Sequence, residues 1–316
     1  MTALPPGASE VRRVGGGHIN EAYRVRMPDG AWAFVKTRAG AVPGEYAAEA
    51  AGLRWLAAPS SRGEPGALRT PRVLEVHHRY LALEWLDARA GALDRAGAEE
   101  LGRGLARMHL AGAPCFGLPA AGAGASGGGA AGGAGEAGAE EAARTGARSG
   151  QGPAPARFGP IELPNEPAAD WPRFYASRRL LPLARAAERR GALTPAGRGA
   201  IERVCERLEQ LCGPPEPPAR VHGDLWSGNV LVDQDGRPWL IDPSAYGAHR
   251  EIDLAMLRLF GAPCERVFDA YEELAPLAAG WRERVQLNQL LALLLHAALF
   301  GGAYGQSAER AAARYL

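Results

Sequence analysis

A chain of 316 residues can bury the cores of two lobes, and 36 Lys+Arg against 35 Asp+Glu leave a formal charge of +1 that gives no reason to expect a nucleic-acid partner. Arginine supplies nearly all of the positive charge, because Lys36 is the only lysine. Four cysteines without C-x-x-C spacing (Cys115, Cys205, Cys212, Cys264), an amino terminus without an apolar signal core, and a most hydrophobic stretch (Val285 to Phe300) shorter than the ~20 residues of a membrane span point to a soluble cytoplasmic protein with free thiols.

The chain opens with a short strand, Val11 to Val14, then Gly15-Gly16-Gly17-His18-Ile19-Asn20, then a second strand from Glu21 to Met27. A glycine turn between strands lets backbone N–H groups approach a phosphate, and it also makes a plain hairpin; the pattern is neither G-x-x-x-x-G-K-[ST] nor G-x-G-x-x-G. After the Asp29-Gly30 turn, Ala31 to Lys36 alternates as a half-buried strand ending in the lysine. Glu45 to Leu56 has helical periodicity and carries Glu45 and Glu49 one turn apart, as a solvated face would also allow. A polar loop, Pro59 to Thr70, precedes strands at Arg72 to Val76 and Tyr80 to Trp85. Ala96 to His109 is an amphipathic helix with Leu101, Leu105 and Met108 on one face and a structural histidine, His109, at its end.

From Pro119 to Arg157 the composition falls to Gly, Ala and Ser with scattered charges. Such a segment cannot bury enough apolar surface to offset its ordering entropy, and it reads as a disordered insertion. Two helices follow, Trp171 to Arg190 and Pro195 to Leu211, ended by Pro214, Pro215, Pro217 and Pro218.

The densest chemistry lies between Arg220 and Asp242, RVHGDLWSGNVLVDQDGRPWLID. Asp224 and Asn229 have the D-x-x-x-x-N spacing of a kinase catalytic loop, in which the Asp accepts the proton of the attacking hydroxyl and the Asn holds a metal ion. Val230 to Val232, a turn at Asp235-Gly236 and Trp239 to Ile241 then make a hairpin that returns Asp242 beside Asn229. A carboxylate there suits Mg²⁺, a hard cation that prefers oxygen ligands. Pro243 follows where a protein kinase has Phe-Gly, so the carboxylate is matched and the mobile switch is not. The competing reading is an acidic surface turn joined to a buried hairpin. Farther on, Asp253 opens a helix to Phe260, where its carboxylate caps the helix start.

HGDLWSGN from His222, DPSAYGAHREIDLAMLRLFG from Asp242 and HAALFGGAYG from His296 resemble the fructosamine kinase (ketosamine 3-kinase) family over nearly the whole chain except the Gly/Ala insertion. The resemblance implies an α+β, bilobal protein-kinase-like fold: a small antiparallel-sheet lobe (residues 1–86) that binds nucleotide, and a mainly helical catalytic lobe (residues 87–316). It implies ATP and Mg²⁺ as cofactors. It makes Asp224 the base, Asn229 and Asp242 the metal ligands, and Lys36 the phosphate clamp positioned by Glu49, with Glu45 as the alternative. Gly15, Gly16 and Gly17 would cover the phosphates, and Glu84, Trp85 and Leu86 would form the adenine hinge. The acceptor would be a ketosamine phosphorylated at its 3-hydroxyl, implying deglycation. Trp226 would stack on the sugar or pack on the carboxy-terminal helices; His249 and Arg250 would line the sugar site or brace the catalytic loop; the counterpart of Asp253 braces that loop. A cysteine that many relatives carry in the glycine turn is replaced by His18. An aminoglycoside, choline or homoserine-type kinase, or a silent nucleotide-binding module, are the other readings. Nothing in the sequence fixes the oligomeric state, and a monomer would suffice.

Deleting Gly122 to Gly152 should leave melting temperature and turnover nearly unchanged; a thermal melt and an activity assay of the shortened chain check this.

Overall fold

Residues 3–15, 20–58, 68–117, 155–261 and 264–316 are described by the structure, a computed structural model. Gly16, Gly17, His18 and most of the Gly/Ala segment lie outside them.

Alternation builds the first layer. β1 (Ser9–Val14), β2 (Glu21–Arg26), β3 (Trp32–Thr37), β4 (Val73–His77) and β5 (Tyr80–Glu84) form an antiparallel sheet in the order β1-β2-β3-β5-β4. Val25, Ala33, Val35 and Ala82 are buried on one face. On the other, Leu81 and Leu83 meet Tyr46, Ala50 and Leu53 of α1 (Glu45–Ala57). Side chains alternate along a strand, so Lys36, paired opposite Leu81, falls on the face that α1 covers.

The chain leaves this sheet at Glu84 and forms β6 (Ala88–Ala90), which pairs with β10 (Val230–Asp233) of the second lobe; β10 in turn pairs with β11 (Pro238–Leu240). The first helix of that lobe, α2 (Arg95–Leu110), is capped by Asp94, whose carboxylate accepts from Gly97 N at 2.7 Å. Leu101, Leu105 and Met108 pack there against α7 (Glu251–Leu259) and α8 (Arg266–Leu274), through Leu254, Leu257, Val267 and Phe268.

A second core gathers α3 (Trp171–Phe174), α4 (Leu181–Arg189), α5 (Pro195–Glu206), α6 (Leu208–Leu211), α9 (Trp281–Phe300) and α10 (Ala303–Ala313). Between α3 and α4 the chain runs through a π-helical segment, Tyr175–Leu180, so the expected single helix is interrupted. α5 starts on a Thr194 cap with Pro195 at its first position. α9 is buried almost all round, as a central helix must be. Its buried Gln289 donates to Ala255 O (3.0 Å) and Asn288 to Glu251 (3.1 Å), so the polar residues inside this apolar helix have partners. Among the described residues no helix is long and apolar enough to cross a membrane.

Two short pairs complete the lobe: β7 (Ala156–Phe158) with β8 (Ile161–Leu163), and β9 (Ala219–Val221) with β12 (Tyr246–Ala248). The first corrects the expected limit of the Gly/Ala segment, because Ala156 and Arg157 belong to a strand whose Ala156 and Phe158 reach the core. The four cysteines are free.

Gly247 shows how tightly the lobe closes near the site. Its backbone bridges Gly117, and a Cβ there would lie 1.9 Å from Cys115 O and 3.0 Å from Ala113 Cβ. Gly247→Ala should therefore destabilise the fold by about 1–3 kcal/mol, the usual range for overpacking. Gly91→Ala, where an added Cβ meets nothing within 4 Å, should stay within about 0.5 kcal/mol. Chemical denaturation of the two variants separates the cases.

Candidate active site

The site grows from the turn after β9. Gly223 has φ +81°, and a Cβ there would lie 2.2 Å from Ser244 O, so both the conformation and the close approach require glycine. The N–H groups of His222 and Gly223 donate to the two carboxylate oxygens of Asp253 at 2.6 and 2.9 Å. Asp253 thus spends its charge on the 222–224 turn. It does not cap its own helix, which begins two residues earlier at Glu251, and this corrects the helix-cap expectation. His109 Nε2–H donates to the same carboxylate (3.2 Å), while its Nδ1 accepts from Tyr271 Oη (2.8 Å).

His222 is fully buried, and burial lowers its pKa, keeping the ring neutral. Its Nε2–H donates to Ile241 O at 2.9 Å, and its Nδ1 faces Asp224 N at 3.3 Å. The turn is therefore held from Asp253 on one side and from the strand preceding Asp242 on the other.

Asn229 places its amide nitrogen on Asp224, 2.8 Å from the backbone oxygen and 3.1 Å from Oδ2. Its own carbonyl accepts Ile241 N at 3.1 Å, which fixes Asp242 next in the chain. Asp242 has φ +54°, a left-handed conformation that is costly for a residue with a side chain. Its Oδ1 lies 3.0 Å from Lys36 Nζ, and the same ammonium is paired with Glu49. Glu45 is engaged elsewhere, by Arg38 and Val42 N.

The electrostatics follow from burial. Lys36 is 4% exposed; burial alone would lower its pKa, but Asp242 and Glu49 outweigh that and hold the ammonium charged, above its ordinary range. Asp224 is pushed up to about 7, by burial first and by Asp242 next, against the lowering effect of Asn229. Its carboxyl thus stands near neutrality, where a proton acceptor works best.

Could this arrangement hold Mg²⁺ and ATP? With its nitrogen on Asp224, Asn229 keeps Oδ1 for a cation, and Asp242, its side chain 44% exposed, keeps Oδ2. Among the described residues no group of three or more His, Cys, Asp or Glu could hold a metal. Two oxygen ligands plus waters and phosphates are, however, what Mg²⁺ commonly takes, so the donor set fits. At the hinge, Glu84 N donates to Arg72 O (2.9 Å) and Trp85 N to Trp32 O (3.3 Å). Leu86 N has no acceptor among the described residues, which leaves one backbone donor for an adenine edge. Gly15 lies at the end of β1, with open space around its Cβ direction.

The expected substrate residues part company. Trp226 stays near the loop, its ring lying over Gly228 and edge-on to Phe260 at 6.4 Å. Arg250 is committed to Glu216 (2.7 and 2.8 Å) and to the carbonyls of Ala275 and Pro276. His249 is buried beside Glu216 and Trp171. Both are thus held within the lobe by these partners. Sequence reasoning missed Arg179, which is fully buried: its guanidinium stacks on Phe174 (4.5 Å) and Tyr246 (4.3 Å) and donates to Pro164 O and Asn165 Oδ1. Tyr246 in turn lies under Gly223. Only the unusual apolar company of an arginine at 158–180 could have signalled it.

Comparisons with known proteins place the chain in a family. The model of the family described as fructosamine kinase matches residues 4–124 and 155–316. A probable ketoamine kinase of Synechocystis is 31% identical over 98% of this chain and 91% of its own length. The chloroplastic protein-ribulosamine 3-kinase of Arabidopsis thaliana is 29% identical over 98% of this chain and 83% of its own. A crystal structure of a candidate fructosamine-3-kinase from Thermobifida fusca superposes with a TM-score of 0.76 at 43% identity, covering 97% of this chain and 94% of that one.

Only the carboxylate form of Asp224 can accept a proton. An activity that passes one to it should therefore rise with pH through an acid limb lying well above the ordinary aspartate value of 3.8, towards about 7. A pH profile of kcat/KM at saturating nucleotide tests this; a limb at the ordinary value would remove Asp224 as the acceptor.

Proposed function

The chain belongs to the fructosamine kinase family, and from that premise we propose that it transfers the γ-phosphoryl of ATP to the 3-hydroxyl of a ketosamine, a ribulosamine or fructosamine carried by an amine or a lysine side chain. The observation that carries the reading is the convergence of Lys36, Glu49, Asp224, Asn229 and Asp242, from elements up to 206 residues apart. A nucleotide-binding module without chemistry would not need the half-buried Asp224 carboxyl fixed beside them by Asn229.

In this reading Asp224 takes the proton of the attacking hydroxyl as the bond to phosphorus forms, and the displaced oxygen leaves on ADP. Lys36 holds the phosphates and Glu49 holds Lys36. Asn229 and Asp242 would hold Mg²⁺, which when bound neutralises charge on the phosphates. Leu86 N receives the adenine edge. Trp226 presents its ring to the sugar beside Asp224. Phosphorylation at that position labilises the adduct, so the cellular role is deglycation, carried out in the cytoplasm by a chain whose catalytic residues all come from one protomer.

The test is ATP consumption with Mg²⁺ against ribulosyl-lysine, fructosyl-lysine, an aminoglycoside and choline. Turnover should appear with a ketosamine, and Asp224→Ala should lower kcat by about 10²–10⁴, the range for losing a general base. Turnover confined to the aminoglycoside or to choline would replace the acceptor class, and near-normal turnover by the variant would remove Asp224 from the mechanism.

A further inference from the structure

The HAALFGGAYG stretch plays no part in the chemistry assigned above, yet the fold sets its rings beside the catalytic loop. His296 and Phe300 lie on the last turns of α9, Tyr304 on the first turn of α10, and Phe260 just past α7. The His296 ring centroid is 4.9 Å from Phe260, 5.1 Å from Tyr304 and 5.6 Å from Phe300. Phe260 leads back to the loop twice. Trp226 meets it edge-on, and the Ser227 hydroxyl donates to its carbonyl at 2.6 Å.

This group is not ordinary core. Trp226, Phe260, His296 and Tyr304 are only partly buried, and Phe300 is 47% exposed. They make a wall of rings open to solvent, starting two residues from the proposed base. Aromatic faces of this kind suit the C–H face of a polyol and give no directional recognition of its hydroxyls.

His296 supplies the direction. Its Nδ1 lies 2.8 Å from Ala292 O, one turn back on the same helix. A carbonyl can only accept, so Nδ1 carries the proton, and the partner of one ring nitrogen sets the state of the other. Burial also lowers the pKa of the ring, which keeps it neutral. Nε2 is then a bare acceptor, and among the described residues it has no donor.

We infer that His296 is a specificity-determining residue of the acceptor site: Nε2 accepts a hydrogen bond from a ketose hydroxyl other than the one phosphorylated, while Trp226, Phe260 and Tyr304 contact the carbon face of the sugar. The inference rests on the proposed ketosamine activity. A neutral polyhydroxylated chain would satisfy the rings and Nε2 together, whereas choline could use the rings but has no hydroxyl beyond the one to be phosphorylated.

The test uses the full chain with ribulosyl-lysine and its 4-deoxy and 5-deoxy analogues. His296→Phe keeps a ring in the wall and removes the acceptor; His296→Gln keeps an acceptor at the ε position. His296→Phe should raise the acceptor KM about tenfold, as expected for a lost hydrogen bond that leaves its partner unpaired, with little change in kcat or in the KM for ATP. His296→Gln should recover most of the loss. One deoxy analogue should cost the wild type as much as His296→Phe does, and should cost that variant nothing more. A wild-type KM in His296→Phe, or equal additional losses for it on both analogues, would overturn the inference. Wild-type protein that consumes ATP with another alcohol and with no ketosamine overturns the parent reading, and this inference with it.

Discussion

One ammonium holds the two lobes in register. Lys36 leaves β3, Glu49 reaches it from α1, and Asp242 reaches it from the end of the β10–β11 hairpin in the other lobe. Burying three charges costs several kcal/mol per ion before attraction offsets it, and such a cluster survives only while each member keeps its partner. The arrangement is therefore tight at one end and open at the other. Glu49 is mostly enclosed, and its buried Oε1 has no hydrogen-bond partner; desolvation pushes its carboxyl up to about 7 against the pull of Lys36. Asp242, by contrast, remains 44% exposed on its side chain. The exposed end is the one that faces the cleft, so a cation or phosphate entering there meets the cluster where its charges are least enclosed.

The catalytic turn depends on a second constraint that acts through backbone. Asp253 receives two adjacent N–H groups, His222 reaches Ile241 O, and Asn229 ties the side chain of Asp224 to its own main chain. Preorganised contacts of this sort do not have to form during the reaction, which is where positioning contributes to rate. Arg179 and Tyr246 extend the support behind Gly223. The left-handed backbone of Asp242 belongs to the same logic: its side chain is aimed by a conformation that the flanking hydrogen bonds impose.

What was legible in the sequence was what short spacing encodes. The Asp224–Asn229 interval, the hairpin returning Asp242 and the strand ending in Lys36 follow from a fixed loop and a periodicity of two, whereas the choice of Glu49 over Glu45, one turn apart on the same helix, comes only from the family resemblance. What was hidden depends on contacts between distant segments. From local pattern alone the carboxylate of Asp253 looks like a helix cap; only the family resemblance points to the loop, and the fold shows the amide it accepts lying 30 residues away. Arg250 and His249 are open between pocket and brace in the sequence, and their ties to Glu216 and the 275–276 carbonyls appear only in the fold. The β6–β10 pairing joins residues about the hinge to the catalytic hairpin, and no local pattern announces it. The π-helical segment likewise serves to place Tyr175 and Arg179 in the core, a demand set by α9 and Tyr246 rather than by helix propensity.

The single lysine brings these strands of argument together. Everywhere else on the chain the Lys/Arg positions are arginine, and the structure shows arginine doing what its planar fork does well: bidentate pairs with Glu216, Glu251 and Glu265, and stacking on Trp32, Phe174 and Phe268. Position 36 asks for something different. Its two carboxylate partners come from different elements in different lobes, and in the proposed function the third N–H serves the phosphates. A compact ammonium with three donors on a flexible stem can divide itself among three directions; a guanidinium commits its donors to one plane. The site is also enclosed, at 4% exposure, which leaves little room for a larger head group. Lysine is retained at the one place where the geometry of its head group, rather than its charge alone, is what the fold requires.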